Sequence, residues 1–292
     1  MRIVHTAAEL SAFATSGTRA VVMTMGALHE GHLALVKAAR EAADQVVVTV
    51  FVNPLQFNDP ADLERYPRDL EADAALLEPL GVDVIFAPAV AEVYPGGKPT
   101  VTVNAGPIND VFEGAARPGH FDGVLTVVLK LLHLTKPDLA FFGQKDAQQV
   151  IAIRAMVRDF NVPVRVDVVP TVRAADGLAL SSRNVFLSPE ERADALVLSR
   201  AMGEAQQVLN EGGGAALAVA VARGALAEVP SVDVEYVGAL NPASAAPVPD
   251  DYRGEVVIAV AARVGQTRLI DNVVGWAGPR PAPEPSEEDD AS

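Results

Sequence analysis

Between residues 20 and 169 the chain alternates two kinds of segment, and this alternation limits its possible folds more than any other feature. Short apolar runs rich in β-branched residues stand at 20–25 (AVVMTM), 46–52 (VVVTVFV), 82–87 (VDVIFA), 139–143 (LAFFG) and 164–169 (VRVDVV). Between them, apolar residues recur at helical spacing near 31–43, 60–79, 122–135 and 146–160. A strand that is apolar throughout needs cover on both faces. Strands and amphipathic helices in alternation therefore predict a parallel sheet with helices on either side. Ligands of such sheets gather at the carboxyl ends of the strands, where the strand order reverses. Three polar segments follow strands in this way: Met25–His32, Asn53–Phe57 and Gly143–Asp146.

The pattern changes near residue 171. VRAADGLALS reads as a hairpin with Asp176-Gly177 at its turn. Helical patterns follow at about 189–209 and 214–228, separated by three glycines, and alternating apolar runs at 232–240, 255–264 and 267–275 predict a small antiparallel sheet. The expected organisation is an α/β domain over 1–171, a smaller α+β C-terminal domain over 172–277, and an acidic, Pro-rich tail over 278–292 that is expected to be disordered.

The net charge of −15 argues against a nucleic-acid partner, which would need basic surface to displace counterions. No apolar run approaches the ~20 residues of a membrane span, and the N-terminus lacks a signal-peptide pattern, so a cytoplasmic protein is expected. The chain has no cysteine, which excludes disulfides, thiolate metal sites and a cysteine nucleophile. An anionic substrate must therefore be held by local groups, against the overall field.

Three clusters could supply those groups. His29 and His32 stand at a strand-to-helix junction, His29 in the loop and His32 in the first helical turn. Such a pair can be half of a metal site, a structural pair, or part of an anion site. For the last, a helix N-terminus offers unpaired N–H groups and partial positive charge, Gly26 and Gly31 would let a phosphate approach the backbone, and two imidazoles could donate to phosphoryl oxygens. The second cluster is Gly143, Gln144, Lys145 and Asp146, where Lys145 suits a phosphate and Asp146 could either serve the site or cap the next helix. The third is Leu180, Ser181, Ser182 and Arg183, with hydroxyl donors and a guanidinium fork. Gln56 and Gln149 are amides near strand ends, able to grip hydroxyl and carboxylate groups. No Walker A sequence occurs, and no GxGxxG follows the first strand.

Six segments, MGALHEGH, FVNPLQF, RYPRDLEAD, RPGHFDGVLTVV, FFGQKDAQQ and DGLALSSRN, in this order and spacing, resemble the pantothenate synthetase (pantoate–β-alanine ligase) family of the HxGH nucleotidyltransferase superfamily. The likeness runs from about residue 20 to 195 and continues more weakly to about 275. It implies a Rossmann-like, doubly wound sheet and an ATP-dependent condensation of (R)-pantoate with β-alanine. The products would be pantothenate, a coenzyme A precursor, with AMP and pyrophosphate, through a pantoyl-adenylate intermediate. No covalent enzyme intermediate is needed.

Carried over residue by residue, the resemblance implies that Met25, Gly26, Ala27, Leu28, His29, Glu30, Gly31 and His32 line the ATP site, with His32 as the proton donor. Gly143 to Asp146 and Leu180 to Arg183 would bind the nucleotide and its phosphates, with Lys145 and Arg183 catalytic, and Val172 would lie at the adenine. Gln56 and Gln149 would hold pantoate, and Asp73 would help Mg²⁺, which binds mainly through phosphate oxygens. A carboxylate nucleophile has no proton to lose, so the histidines are expected to stabilise phosphoryl charge. The resemblance also implies a homodimer. Met23 departs from it, standing where the family usually has proline. The alternative enzyme is an HxGH nucleotidyltransferase acting on a small cofactor precursor, which would not need Gln56, Gln149 and the RYPRDLEAD block together. A nucleotide sensor without chemistry would have no need of the full set of phosphate-binding residues.

Overall fold

A computed structural model describes residues 1–13, 17–58 and 60–280. In chain order, the first part holds β1 (Arg2–Val4), α1 (Ala7–Ala12), β2 (Arg19–Thr24), α2 (Glu30–Ala42), β3 (Gln45–Val50), α3 (Pro60–Arg65), α4 (Leu70–Leu77), β4 (Val84–Phe86) and α5 (Val90–Val93). Next come α6 (Phe112–Ala116), α7 (His120–Thr135), β5 (Leu139–Gly143), α8 (Ala147–Asp159) and β6 (Arg165–Val169). The chain continues through α9 (Pro189–Asn210), α10 (Ala215–Ala227), β7 (Val232–Leu240), β8 (Gly254–Val264) and β9 (Thr267–Ala277).

β1 to β6 form one parallel sheet in the order β1-β4-β3-β2-β5-β6. The sheet grows outward from β2 through β3 on one side, and the chain then crosses to β5 on the other. The order therefore reverses at β2, and the carboxyl ends of β2, β3 and β5 stand side by side. Pleating explains the all-apolar strands. Val22, Val46, Val48, Ile85 and Phe141 pack beneath α2, while Val21, Val47, Phe86, Ala140 and Phe142 face α7 and α8. The predicted α/β parallel sheet is present, and β7 to β9 form the predicted antiparallel sheet, in sequential order. On β8, Val256, Ile258, Val260 and Ala262 meet α9 and α10, whereas Val257 and Ala259 join the core of the larger sheet. That two-sided burial accounts for the nearly continuous apolar run of β8.

Two expectations differ in detail. The single helix expected over 60–79 is broken into α3 and α4, because Pro67 disfavours helical geometry at Tyr66 and Asp69 starts a new helix by accepting from the Ala72 amide at 3.0 Å. The hairpin near 172–181 is reduced to one bridge, Arg173 with Ala179, closed by a turn in which Gly177 has φ +95°. The expectation of a disordered tail falls on residues that, from 281 onward, lie outside those described. No helix among the described residues is long and apolar enough to cross a membrane.

Candidate active site

The chain leaving β2 turns sharply. Thr24 Oγ1 donates to the Thr49 carbonyl at 2.8 Å and accepts from the Gly26 amide, and Gly26 and Ala27 both take positive φ, +82° and +53°. Asp73 on α4 sits beneath this loop, 3 % exposed, and its carboxylate accepts from the amides of Ala27 (3.2 Å) and Leu28 (2.9 Å). A Cβ on Gly26 would lie 2.8 Å from Asp73 Oδ2, so this glycine makes room for a carboxylate of the protein itself. Gly31 has the same purpose toward His29, whose ring carbon would stand 2.8 Å from an added Cβ. Asp73 is thus a clamp on the loop. Its oxygens are turned to two backbone donors, and it does not line the cavity described below.

His29 is the N-cap of α2. Its Nδ1 accepts from the Gly31 amide at 3.1 Å, and its own amide approaches His32 Nδ1 at 3.4 Å; the two rings lie 4.2 Å apart. Both Nδ1 atoms face backbone donors, so the neutral rings carry their protons on Nε2. Burial, and secondarily Lys145, lowers the pKa of His29. Burial, reinforced by His29, takes His32 down to about 3. The pair therefore presents neutral N–H donors rather than cations at neutral pH.

Lys145 and Asp146 follow β5 in a single 3-10 turn, Gln144–Asp146, with Lys145 Nζ 3.7 Å from Asp146 Oδ1. Asp146 occupies the N-cap position of α8, but its side chain makes no capping bond. Asn272 on β9 braces this turn, its Nδ2 donating to the carbonyls of Gln144 and Lys145, both at 2.9 Å. Ser181 Oγ accepts from the Arg183 amide at 3.2 Å, which opens the 3-10 turn Ser182–Phe186.

These segments converge on one cavity of about 250 Å³. Of the residues singled out from sequence, Met25, His29, Gly31, His32, Gln56 and Gln149 line it. So do Gly143, Lys145, Asp146, Val172 and the run Leu180–Arg183. An adjoining cavity of about 730 Å³ shares Lys145, Asp146 and Ser181–Arg183 and opens toward the C-terminal sheet. Gly26, Ala27, Leu28, Glu30 and Gln144 do not line the smaller cavity. Glu30 lies on the outside of α2, 3.9 Å from Lys37, and Gln144 Nε2 is turned to Asn272 Oδ1 at 3.2 Å. Met23 lines the cavity from within β2, where its backbone pairs with Thr49.

Arg117 and His120 of the RPGH segment and Asn53 of the NPLQF segment also line the cavity, although none of the three stands out in the sequence. The arginine Nη1 must donate to His120 Nε2 at 3.0 Å, so His120 holds its proton on Nδ1 and gives it to the Gln56 carbonyl at 2.9 Å. The usable signal was a Gly119 turn, at φ +77°, delivering a histidine at the first residue of an otherwise apolar helix. Behind Arg117, Glu113 on α6 receives Arg268 of β9 at 2.6 and 2.9 Å and the Tyr236 hydroxyl at 2.8 Å. Burial would raise the Glu113 carboxyl, but Arg268 outweighs it and holds the group ionised. Among the described residues, no group of three or more His, Asp, Glu or Cys side chains is placed to hold a metal ion.

Residues 2–274 match the family model for pantoate-beta-alanine ligase. The chain is 49 % identical to the pantothenate synthetase of Streptomyces avermitilis, over 93 % of this chain and 96 % of the relative, and 53 % identical to that of Salinispora arenicola over the same shares. The crystal structure of pantothenate synthetase from Thermus thermophilus superposes with TM-score 0.88 at 50 % identity, covering 94 % of this chain and 99 % of that one. A pantoate-beta-alanine ligase from Francisella tularensis, complexed with beta-gamma ATP and beta-alanine, gives 0.76 at 34 % identity over 94 % and 97 %. With the HxGH loop at the reversal point of the sheet and one family spanning both sheets, the chain belongs to the pantoate–β-alanine ligases.

Proposed function

We propose that this chain condenses (R)-pantoate with β-alanine in an ATP-dependent, two-step reaction through pantoyl adenylate, releasing pyrophosphate and then AMP. The observation that carries the reading is the division of labour around one cavity: His29, His32, Lys145 and Arg183 supply donors and positive charge, while Gln56 and Gln149 supply neutral amides.

In the first step a pantoate carboxylate oxygen attacks the α-phosphate, and negative charge grows on the phosphoryl and pyrophosphate oxygens. Lys145 and Arg183 meet that charge directly. The Nε2–H groups of His29 and His32 donate to it, beside the positive end of α2. With a pKa of about 3, His32 acts as a fixed hydrogen-bond donor and not as an acid that releases its proton. Gln56 and Gln149 orient the hydroxy acid, and Val172 and Leu180 border the base. In the second step the amine of β-alanine attacks the acyl carbon of the adenylate, and AMP leaves.

Mg²⁺ would arrive with ATP, held by phosphate oxygens, and would neutralise phosphate charge. Asp146, the carboxylate on the cavity wall, fits it better than Asp73. In the same reading, residues 1–171 form the nucleotide- and pantoate-binding domain and 172–277 a lid, joined through Glu113–Arg268 and Asn272. The family resemblance supports a homodimer, and the small biosynthetic substrates support a cytoplasmic location.

Isotope exchange tests the scheme. Labelled pyrophosphate should enter ATP when pantoate is present and β-alanine is absent. Exchange that requires β-alanine refutes the stepwise order, and no exchange with pantoate refutes the assignment.

A further inference from the structure

Gln56 faces the cavity with an amide that can offer either a donor or an acceptor, and the choice decides what it can hold. Its neighbour Asn53, 1 % exposed, makes that choice. Asn53 Nδ2 donates to the Gly123 carbonyl at 3.1 Å and to Gln56 Oε1 at 3.0 Å. Its Oδ1 accepts from the Leu55 amide at 3.3 Å and from the Tyr94 hydroxyl at 2.8 Å. Every donor and acceptor site of this amide is used. Two of the partners are backbone groups of fixed polarity, so a reversed Asn53 would set carbonyl against carbonyl at Gly123 and N–H against N–H at Leu55. With Asn53 fixed, Gln56 Oε1 is committed to it, and Gln56 Nε2 is left 3.1 Å from the Met25 sulfur, a weak acceptor on the cavity wall.

Tyr94 lies outside the cavity lining. It is 4 % exposed, its ring is 6.0 Å from that of Phe51, and Lys130 Nζ stands 5.9 Å from its centroid. Its hydroxyl is the side-chain donor on Asn53 Oδ1, and burial raises its pKa, so it stays a phenol.

We infer that Tyr94 is a positioning residue: through Asn53 it holds the Gln56 amide with its NH2 toward the cavity, so that position 56 offers a donor to a carboxylate or hydroxyl oxygen of the hydroxy-acid substrate. This rests on the proposed function for the identity of the ligand, but not for the hydrogen-bond chain. A substrate oxygen replaces the Met25 sulfur as the acceptor.

The test uses the full chain in two arms. In steady-state kinetics, Tyr94→Phe should raise KM for pantoate about five- to tenfold, the loss of roughly one hydrogen bond, and leave KM for ATP unchanged. Equal changes for both substrates, or none for either, overturn the inference. The second arm needs neither activity nor a variant. In NMR spectra of the ligand-free wild type, the Gln56 NH2 should show contacts to the Met25 methyl, and the Asn53 NH2 should be strongly protected from exchange. A Gln56 NH2 that contacts Asn53 instead, or an Asn53 amide exchanging like a solvated one, overturns the inference even if Tyr94→Phe fails to fold. If the wild type turns over no pantoate while these contacts are seen, the functional reading fails and the chain Tyr94–Asn53–Gln56 stands.

Discussion

Replacing His120 with glutamine should flatten the acid limb of the stability curve. The ring is 7 % exposed, and its Nε2 accepts from Arg117. A second proton would have to sit on Nε2, against a guanidinium, in a site that also disfavours charge by burial. Burial first and Arg117 second lower its pKa from 6.5 to about 4. The unfolded chain therefore binds a proton in a range where the folded chain does not. Stability contributed by the neutral ring is intact above about pH 6.5 and is lost as pH falls toward about 4, at about 1.4 kcal/mol per pH unit. The full loss is about 3 kcal/mol, and about 2 kcal/mol of it has occurred by roughly pH 5. Glutamine can still accept from Arg117 and donate to the Gln56 carbonyl, but it cannot titrate. Urea unfolding of wild type and His120→Gln at about pH 7.5 and about pH 5 isolates the term, because the remaining histidines, His32 included, cancel in the double difference. The wild type should lose about 2 kcal/mol more than the variant over this interval. Equal losses would show that His120 titrates alike in the folded and unfolded chains, and its charged form would break the hydrogen bond from Arg117.

His32→Ala and Lys145→Ala should each lower kcat by about 100- to 1,000-fold with the fold retained, read by initial rates and thermal melting; near-normal kcat removes that residue from the mechanism. Asp73→Ala should strand the Ala27 and Leu28 amides and lower stability by about 1–3 kcal/mol, while the Mg²⁺ concentration for half-maximal activity stays put. A shift in that concentration would restore Asp73 to the metal. Gly123→Ala should push the loop at residues 55–56 off α7, since the added Cβ would lie 2.3 Å from the Leu55 carbonyl oxygen, and raise KM for pantoate far more than KM for ATP. Arg268→Met should destabilise by about 3–5 kcal/mol by leaving Glu113 buried and unpaired, and Glu113→Leu in the same chain should recover much of it, both read by urea unfolding.

What could be read in advance was local. The strands β2, β5 and β7 lie within a residue or so of their apolar runs, and α9 starts at Pro189, where its helical spacing begins, with Ser188 and Glu191 closing a capping box in the structure. β1 escaped notice because three residues carry no period; it exists by pairing with β4, eighty residues away. The glycines of the HxGH loop were read as space for a ligand, and in the structure an added Cβ would meet Asp73 at Gly26 and His29 at Gly31. A missing Cβ declares closeness but not to what. Gln144 turned from the cavity for a similar reason, since its partner Asn272 belongs to a sheet far along the chain. Arg117, His120 and Asn53 were hidden by ordinary surroundings, and their meaning lies in hydrogen bonds to Gln56 that only the assembled fold creates.

Asn272 grips the carbonyls of Gln144 and Lys145 from β9, and the same strand carries Trp276, the single tryptophan of the chain. The molecule thus contains its own optical probe on the strand that braces the Gln144–Asp146 turn. A displacement of β9 that alters the indole's surroundings would also tug, through Asn272, at the turn that presents Lys145. Stopped-flow tryptophan emission during ATP or pantoate binding can therefore time that displacement without an attached dye.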